Sequence, residues 1–393
     1  MLELPLQPVC RLSGEPLADA TLLFGLTSCP LPGVYPPSAE EALPLRTPLR
    51  VVQARGSGLV QLAHRLDPAV YARYAFAGGG ARGYRGYLEQ FTGRVAGRFQ
   101  PSAAVLEVGC GDGTLLRLLG KRGFADVFGI DPGLPAAAEA KLPLARGFFP
   151  HDLPPGRRDR AHDLIVLRHV LEHIESPLAF LAELARRLKP AGELWIEVPD
   201  LASTVARGLW SNFYQLHGNY FEAATLDALA ATAGLRRVAG EVVDIFGGSL
   251  LHRYARGPAG ELPAARHWPD IGAAVNAYRD AVLRLAASMP AGTAGYGAAE
   301  RTAMTFGLCP ELAGMIRRLH DGNPHLAGRF LAGTDVPISA KEALSAQPPA
   351  GVLIFAVSHW REIAAELRAR LPGDTPVGIV GDGFLRARLA DLA

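Results

Sequence analysis

The chain has 393 residues, 49% of them hydrophobic and 20% charged, with 40 Lys plus Arg against 38 Asp plus Glu. That length calls for two or three domains. The composition excludes a disordered chain, and a formal charge of +2 excludes the basic excess of a dedicated nucleic-acid binder.

The N-terminus, Met1-Leu-Glu-Leu-Pro-Leu, has no basic segment leading into an apolar stretch, and no window approaches ~18 uninterrupted apolar residues. A cytoplasmic protein with no membrane partner is expected. The four cysteines, Cys10, Cys29, Cys110 and Cys309, are too scattered for a disulfide framework. Nothing in the sequence sets the oligomeric state.

Residues up to Pro48 are rich in Pro and Gly. A short strand-like run, Leu49-Arg-Val-Val, and a helical stretch near Tyr84 to Val95 follow. From Ala103 short apolar runs alternate with amphipathic segments: Val105-Leu-Glu-Val, Thr114 to Lys121, Val127-Phe-Gly-Ile, Leu164-Ile-Val-Leu, Pro177 to Leu188, and Leu194-Trp-Ile-Glu-Val. This alternation predicts a parallel sheet covered on both faces. Ser176 before Pro177 reads as a helix start, and Lys189-Pro190-Ala191-Gly192 as its end.

A Gly/Pro-rich stretch from Gly257 to Pro269 marks a boundary, after which come an amphipathic segment, Ile271 to Ser288, an apolar run from Gly351 and a helical Trp360 to Leu371. The chain thus divides into residues 1–80, a small loop-rich module; 81–257, the central α/β domain; and 258–393, a second, smaller α/β unit.

The strongest local signal is Leu106-Glu107-Val-Gly109-Cys110-Gly111-Asp-Gly113-Thr, between a predicted strand and a helix. Glycines there let the backbone turn tightly and approach a ligand. A dinucleotide fold would have G-x-G-x-x-G, whereas here the third glycine comes one residue early. Asp131 closes the next strand, 22 residues after Gly109, where a carboxylate accepts both hydroxyls of a ribose. Nucleoside binding follows.

On these residues the chain resembles the class I S-adenosylmethionine-dependent methyltransferases: an acidic residue, Glu107, then Gly109, Gly111 and Gly113, then Asp131. His151-Asp152-Leu153, Arg168-His-Val-Leu-Glu-His173 and Leu188-Lys-Pro-Ala-Gly-Glu-Leu194 match further motifs in order. The resemblance implies a Rossmann-like central sheet and S-adenosylmethionine held by Glu107, Gly109, Cys110, Gly111, Asp131, Pro132, Asp152, Leu153 and Arg168.

Gly58-Leu-Val-Gln-Leu62 with Tyr71-Ala-Arg-Tyr74-Ala-Phe76, and Gly295-Tyr296-Gly297-Ala-Ala-Glu-Arg301, narrow this to the sugar C-methyltransferases. That family implies an N-terminal zinc module, a central methyltransferase domain and a C-terminal Rossmann-like domain, with C3 of a nucleotide-linked 4-keto sugar as methyl acceptor. Tyr74, Phe76, Tyr220, Tyr296, Gly297 and Arg301 are then expected at the substrate. A helix starting after Gly297 would offer amides and a positive dipole end to a pyrophosphate.

A 4-ketone acidifies the C3 proton, and a base must remove it before the carbon attacks the methyl; histidine suits that task. The family's Tyr-His-Glu-His stretch corresponds to Tyr214-Gln215-Leu216-His217. Tyr214 and His217 remain as the expected acid–base pair, with His173 as a helper, while the first His and the Glu are gone. Transfer to oxygen or nitrogen of a related metabolite, and a non-catalytic binding role, stay open as alternatives.

The zinc module's two Cys-x-x-Cys pairs read Cys10-Arg-Leu-Ser13 and Ala54-Arg-Gly-Ser57. With one thiolate of four, no zinc or other metal is expected, since neither Ser nor Ala replaces a thiolate on zinc.

Overall fold

The computed structural model describes residues 4–65, 82–134, 142–356, 359–381 and 383–392. Tyr74 and Phe76, expected at the substrate, lie outside the described residues. Three sheets organise the rest. The N-terminal sheet contains β1 (Thr21–Pro30), β2 (Arg46–Gln53) and β3 (Val60–Leu62) in antiparallel order. Strand β1 sits inside the Pro/Gly-rich stretch that reads as loop; a bulge between Leu26 and Cys29 breaks its alternation and hides it from a period-two pattern.

The central sheet is built from β4 (Val105–Val108), β5 (Val127–Asp131), β6 (Leu144–Arg146), β7 (His162–Arg168) and β8 (Leu188–Pro199). These five are parallel, and two antiparallel strands, β10 (Leu235–Val243) and β11 (Ser249–Arg256), extend the edge to give the order β10-β11-β8-β7-β4-β5-β6. Strand β4 and residues 164–168 of β7 are wholly buried, as strands covered on both faces must be, and their apolar runs reflect it. Lys189 to Gly192 lie within β8, with a register shift opposite His162 and Leu164, so the expected helix end is a bulged strand start. Helix Pro177–Arg186 stops just before it, and Ser176 makes no side-chain cap bond.

Helix Arg82–Arg98 crosses the central sheet with Phe91 edge-on to Trp195 of β8, ring centroids 5.6 Å apart. A fourth strand of the N-terminal sheet comes from far along the chain: β9 (Asn219–Tyr220) pairs antiparallel with β3, Val60 opposite Tyr220. The segment that carries Tyr214 and His217 is therefore sewn into the first sheet.

The C-terminal sheet holds β12 (Thr293–Tyr296), β13 (Leu319–Asp321), β14 (Ile338–Ala340), β15 (Gly351–Ile354) and β16 (Pro376–Ile379), all parallel, with β17 (Arg386–Arg388) antiparallel at one edge. The order β14-β13-β12-β15-β16-β17 is that of a doubly wound sheet. Helices Ile271–Ser288 and Glu300–Leu308 share one apolar core with β1 and β2, through residues such as Phe24, Leu49, Val282 and Phe306. The first and last parts of the chain are thus packed on each other.

The two turns of the cysteine-poor module lie together. Cys10 Sγ is 3.1 Å from Ser57 Oγ, and the Glu15 carboxylate accepts the amides of Gly56 and Ser57 at 3.1–3.2 Å. Leu59, 0% exposed, fills the space beneath. A carboxylate and backbone amides bridge the two turns. Glu15→Ala should lower unfolding free energy in urea by about 1 kcal/mol, and elemental analysis of chelator-treated protein should find less than about 0.2 zinc per chain.

Candidate active site

At the carboxyl end of β4 the loop turns through three glycines with positive φ: Gly109 (76°), Gly111 (55°) and Gly113 (74°). A side chain at Gly109 would collide with Val170 at 2.2 Å, while a Cβ at Gly111 would meet nothing within 4 Å. The turn is therefore tight on its inner side and open on its outer side.

Asp131, ending β5, holds that turn in place. One carboxylate oxygen accepts Gly111 N at 2.9 Å and the other accepts Gly133 N at 2.7 Å. Burial raises its pKa, and the two amides pull it back. Pro132 follows in the turn, and Cys110 is buried under the loop, its thiol pushed up by burial. Helix Thr114–Lys121 starts there, burying Leu115, Leu116 and Leu119. At the end of β6, Asp152 accepts Phe148 N at 2.7 Å and Leu153 is buried beside it.

Below the loop, Glu107 is enclosed, and burial pushes its carboxyl up to about 8 although Arg168 opposes this. Its Oε2 is buried with no hydrogen-bond partner. Arg168, expected to touch cofactor, is the hub of a buried cluster: it bonds the Tyr84 hydroxyl, pairs with Glu197 at 3.6 Å, and lies 5.2–5.8 Å over the rings of Tyr84, Tyr87 and Phe91.

Three titratable groups, His169, Glu172 and Glu197, converge where β7 and β8 end. His169 has φ 50°, an uncommon conformation for a residue with a Cβ, and its Nε2 meets Glu197 Oε1 at 2.8 Å while Nδ1 faces Glu172 Oε1 at 3.5 Å. Burial alone would lower its pKa, but hydrogen bonds to Glu172 and Glu197 raise it to about 9. Glu197, penalised by burial, is held down to about 2 by Arg168 and His169.

His173 turns Nδ1 to the carbonyl of Leu216 at 2.8 Å. Its ring stands edge-on to that of His217, centroids 4.9 Å apart, and His217 Nε2 lies 2.7 Å from the Tyr214 hydroxyl. Burial first, then His173 and His169, drive the pKa of His217 well below its usual value; burial likewise drives Tyr214 upward. The three residues expected to carry acid–base chemistry are therefore together.

The departures from the family stretch have structural uses. Gln215 donates to Thr47 Oγ1 of β2 at 2.8 Å, and Leu216 is 0% exposed in the core shared with the N-terminal sheet. Arg11 donates to the carbonyls of Leu62, His64 and Gly218 at 3.0 Å, tying the Gly218 end of this loop to the first sheet.

The expected substrate residues are distributed differently. The Tyr220 hydroxyl bonds the backbone N–H and carbonyl of Tyr214 at 3.1 and 3.2 Å, which shapes the catalytic turn. Tyr296 is buried in the C-terminal unit and donates to Glu366 at 3.2 Å. Gly297 supplies a positive φ of 94° after β12. Arg301 reaches across to the central domain and donates to the Phe246 carbonyl at 2.5 Å; Phe246 in turn lies 5.0 Å from His169 and 5.3 Å from Tyr84. His169, Glu172 and Glu197 were not singled out from sequence, although two of them stand inside the Arg168–His173 motif.

Known proteins match both α/β parts. A methyltransferase-domain family model covers residues 81–239, and a model for a C-methyltransferase C-terminal domain covers residues 258–374. The chain is a class I S-adenosylmethionine-dependent methyltransferase. C-methyltransferase NovU of Streptomyces niveus is 24% identical over 349 residues, 80% of this chain and 82% of that protein. A tRNA U34 carboxymethyltransferase of Methylococcus capsulatus is 32% identical over 164 residues, 37% of this chain and 48% of that protein. Among solved structures, magnesium protoporphyrin IX methyltransferase of Synechocystis PCC 6803 with bound S-adenosylmethionine aligns with 44% of this chain and 80% of its own, at 17% identity and TM-score 0.35.

The methyltransferase's loop fits its cofactor. The open outer side of Gly111, the adjacent Asp131 carboxylate and the unpartnered Glu107 oxygen offer a cradle, a diol acceptor and an acceptor for a cationic amine.

Two measurements follow. By titration calorimetry, Asp131→Ala should weaken S-adenosylhomocysteine binding about 100-fold or more, whereas His217→Ala should leave it unchanged. His169, with a folded pKa raised to about 9, stabilises the fold fully below its unfolded pKa of about 6.5 and loses that contribution as pH rises through about 9. The stability advantage of the parent over His169→Gln in urea should shrink across that window.

Proposed function

We propose that this methyltransferase alkylates carbon, at the position beside the ketone of a nucleotide-linked keto sugar, through an enolate. The observation that carries the reading is the buried Tyr214–His217–His173 group: two imidazoles and a phenol in contact, beside the glycine loop's domain and within reach of the C-terminal unit through Arg301. The resemblance of the C-terminal part to a C-methyltransferase domain, and the NovU similarity over most of both chains, support carbon as the acceptor.

The roles follow from geometry. His217 is enclosed, stays neutral, and has its Nε2 engaged by Tyr214. His173 is more open, with 19% of its side chain exposed, and its Nδ1–H donation to Leu216 leaves Nε2 as the basic nitrogen. His173 therefore takes the C3 proton in this reading, in place of the His217 base expected from sequence, while the electron pair passes into the enolate. The Tyr214 hydroxyl, set by His217, faces the enolate oxygen. S-adenosylmethionine supplies an electrophilic methyl group for that carbon. The glycine turn at Gly297 and the helix Glu300–Leu308 suit the diphosphate of the nucleotide. A cytoplasmic setting suits such a metabolite.

Proton exchange separates carbon from oxygen transfer. Incubated in D2O with a nucleotide-linked 4-keto sugar and no S-adenosylmethionine, the protein should introduce deuterium at C3, read by NMR. His173→Gln should slow this at least about 100-fold. Methyl transfer without any exchange would assign the reaction to oxygen or nitrogen.

A further inference from the structure

The stretch Tyr214-Gln215-Leu216-His217 carries no carboxylate, and Leu216, 0% exposed in an apolar core, has no room for one. Yet a base that accepts a carbon-bound proton becomes an imidazolium inside a half-buried site, and a neighbouring carboxylate is what makes that charge tolerable. The structure supplies one from a different element.

Glu172 belongs to the 3-10 turn Leu171–His173, its side chain 3% exposed. Oε1 lies 3.9 Å from His173 Nε2, and donor atoms of Glu172, His173 and His217 fall within 4.8 Å of one another. Oε2 is buried and makes no hydrogen bond, an unfavourable state for a carboxylate, and a positive charge on the ring opposite Oε1 offsets that burial. His169 shares this oxygen: its short bond is to Glu197 at 2.8 Å, and its Nδ1 lies 3.5 Å from Glu172 Oε1, so the carboxylate stands between the two rings.

We infer that Glu172 is a positioning residue that stabilises the protonated ring of His173, in place of the carboxylate absent at position 216. The inference rests on the enolate reading above for its catalytic meaning, and on the geometry for the pairing itself. In the step, the C3–H bond breaks, the proton moves to His173 Nε2, and Glu172 becomes the counter-ion of the new imidazolium.

A metal ion is the competing use of the same three residues. Tetrahedral ligands about 2.0–2.1 Å from zinc sit only about 3.4 Å apart, closer than the 3.9 Å between Glu172 and His173. His217 Nε2 is also bonded to Tyr214, and the nearby Arg168 and His169 cations oppose a dication.

Glu172 and His217 face His173 directly; beyond Glu172 lie His169 and Glu197, beyond His217 lie Tyr214 and Tyr220, Arg11 stands behind Gly218, and Glu300 and Arg301 of the C-terminal unit act on Tyr214. Removing the negative charge of Glu172 should lower the pH at which the base loses its proton. In the full-length protein, Glu172→Gln should cut kcat of methyl transfer and the C3 exchange rate about 30- to 100-fold, with KM and S-adenosylhomocysteine affinity within threefold. The acid limb of the rate profile should move to lower pH, and Glu172→Asp should recover part of the rate. Independently of any substrate, the 15N ring signals of His173 in histidine-labelled protein should pass to the neutral form at lower pH in Glu172→Gln than in the parent.

Identical His173 titrations in the two proteins overturn the pairing, as does restoration of activity to a chelator-treated parent by Zn2+ or Mn2+ alone. If the titrations differ but no keto sugar exchanges, the pairing stands and the enolate reading fails.

Discussion

The positions of Tyr214 and His217 depend on the pairing of β9 with β3. The segment from Tyr214 to Tyr220 has no helix or long strand of its own; its order comes from two backbone partners in the first sheet, from Gln215 on Thr47, and from Arg11 gripping Gly218. A loop that must hold an imidazole and a phenol to within a few tenths of an ångström needs such external bracing, since loop backbone left to solvent samples many conformations. The N-terminal sheet, in turn, is fixed by sharing a core with the helices that lead into and follow β12. Chain parts three hundred residues apart thus combine to seat one turn.

The second organising element is electrostatic. Arg168, His169, Glu172, Glu197 and Glu107 occupy the ends of three adjacent parallel strands and the turn after β7, almost without solvent. Burying any one of these charges alone would be costly; together they neutralise one another, and the rings of Tyr84, Tyr87 and Phe91 cover the Arg168 guanidinium. At one end of the cluster Glu107 lies under the glycine turn, and at the other Glu172 faces His173.

The central sheet was readable because its strands are buried on both faces and leave unbroken apolar runs, and the glycine turn because its conformation demands residues without a Cβ. Asp131 stood out by its spacing from the glycine turn, and Tyr214 and His217 by the resemblance of their stretch to a family motif. Strand β1 was not, since a bulge erases its alternation. Arg168 and Tyr220 were expected at ligands by motif; their parts in the fold, one as a charge hub and the other as a brace for Tyr214, depend on tertiary neighbours that no local pattern encodes. Glu172 was overlooked because it meets His217 only when the β7 turn is brought against the β9 loop, 45 residues further on.

The clamp formed by Glu15 on the amides of Gly56 and Ser57 joins two turns through groups that neither oxidise nor exchange with chelators. A knot of thiolates ties the bracing of a catalytic loop to the metal and redox supply of its surroundings. With a carboxylate and two peptide N–H groups, the bridge between the two turns is made from the chain's own atoms, beside the sheet that seats Tyr214 and His217.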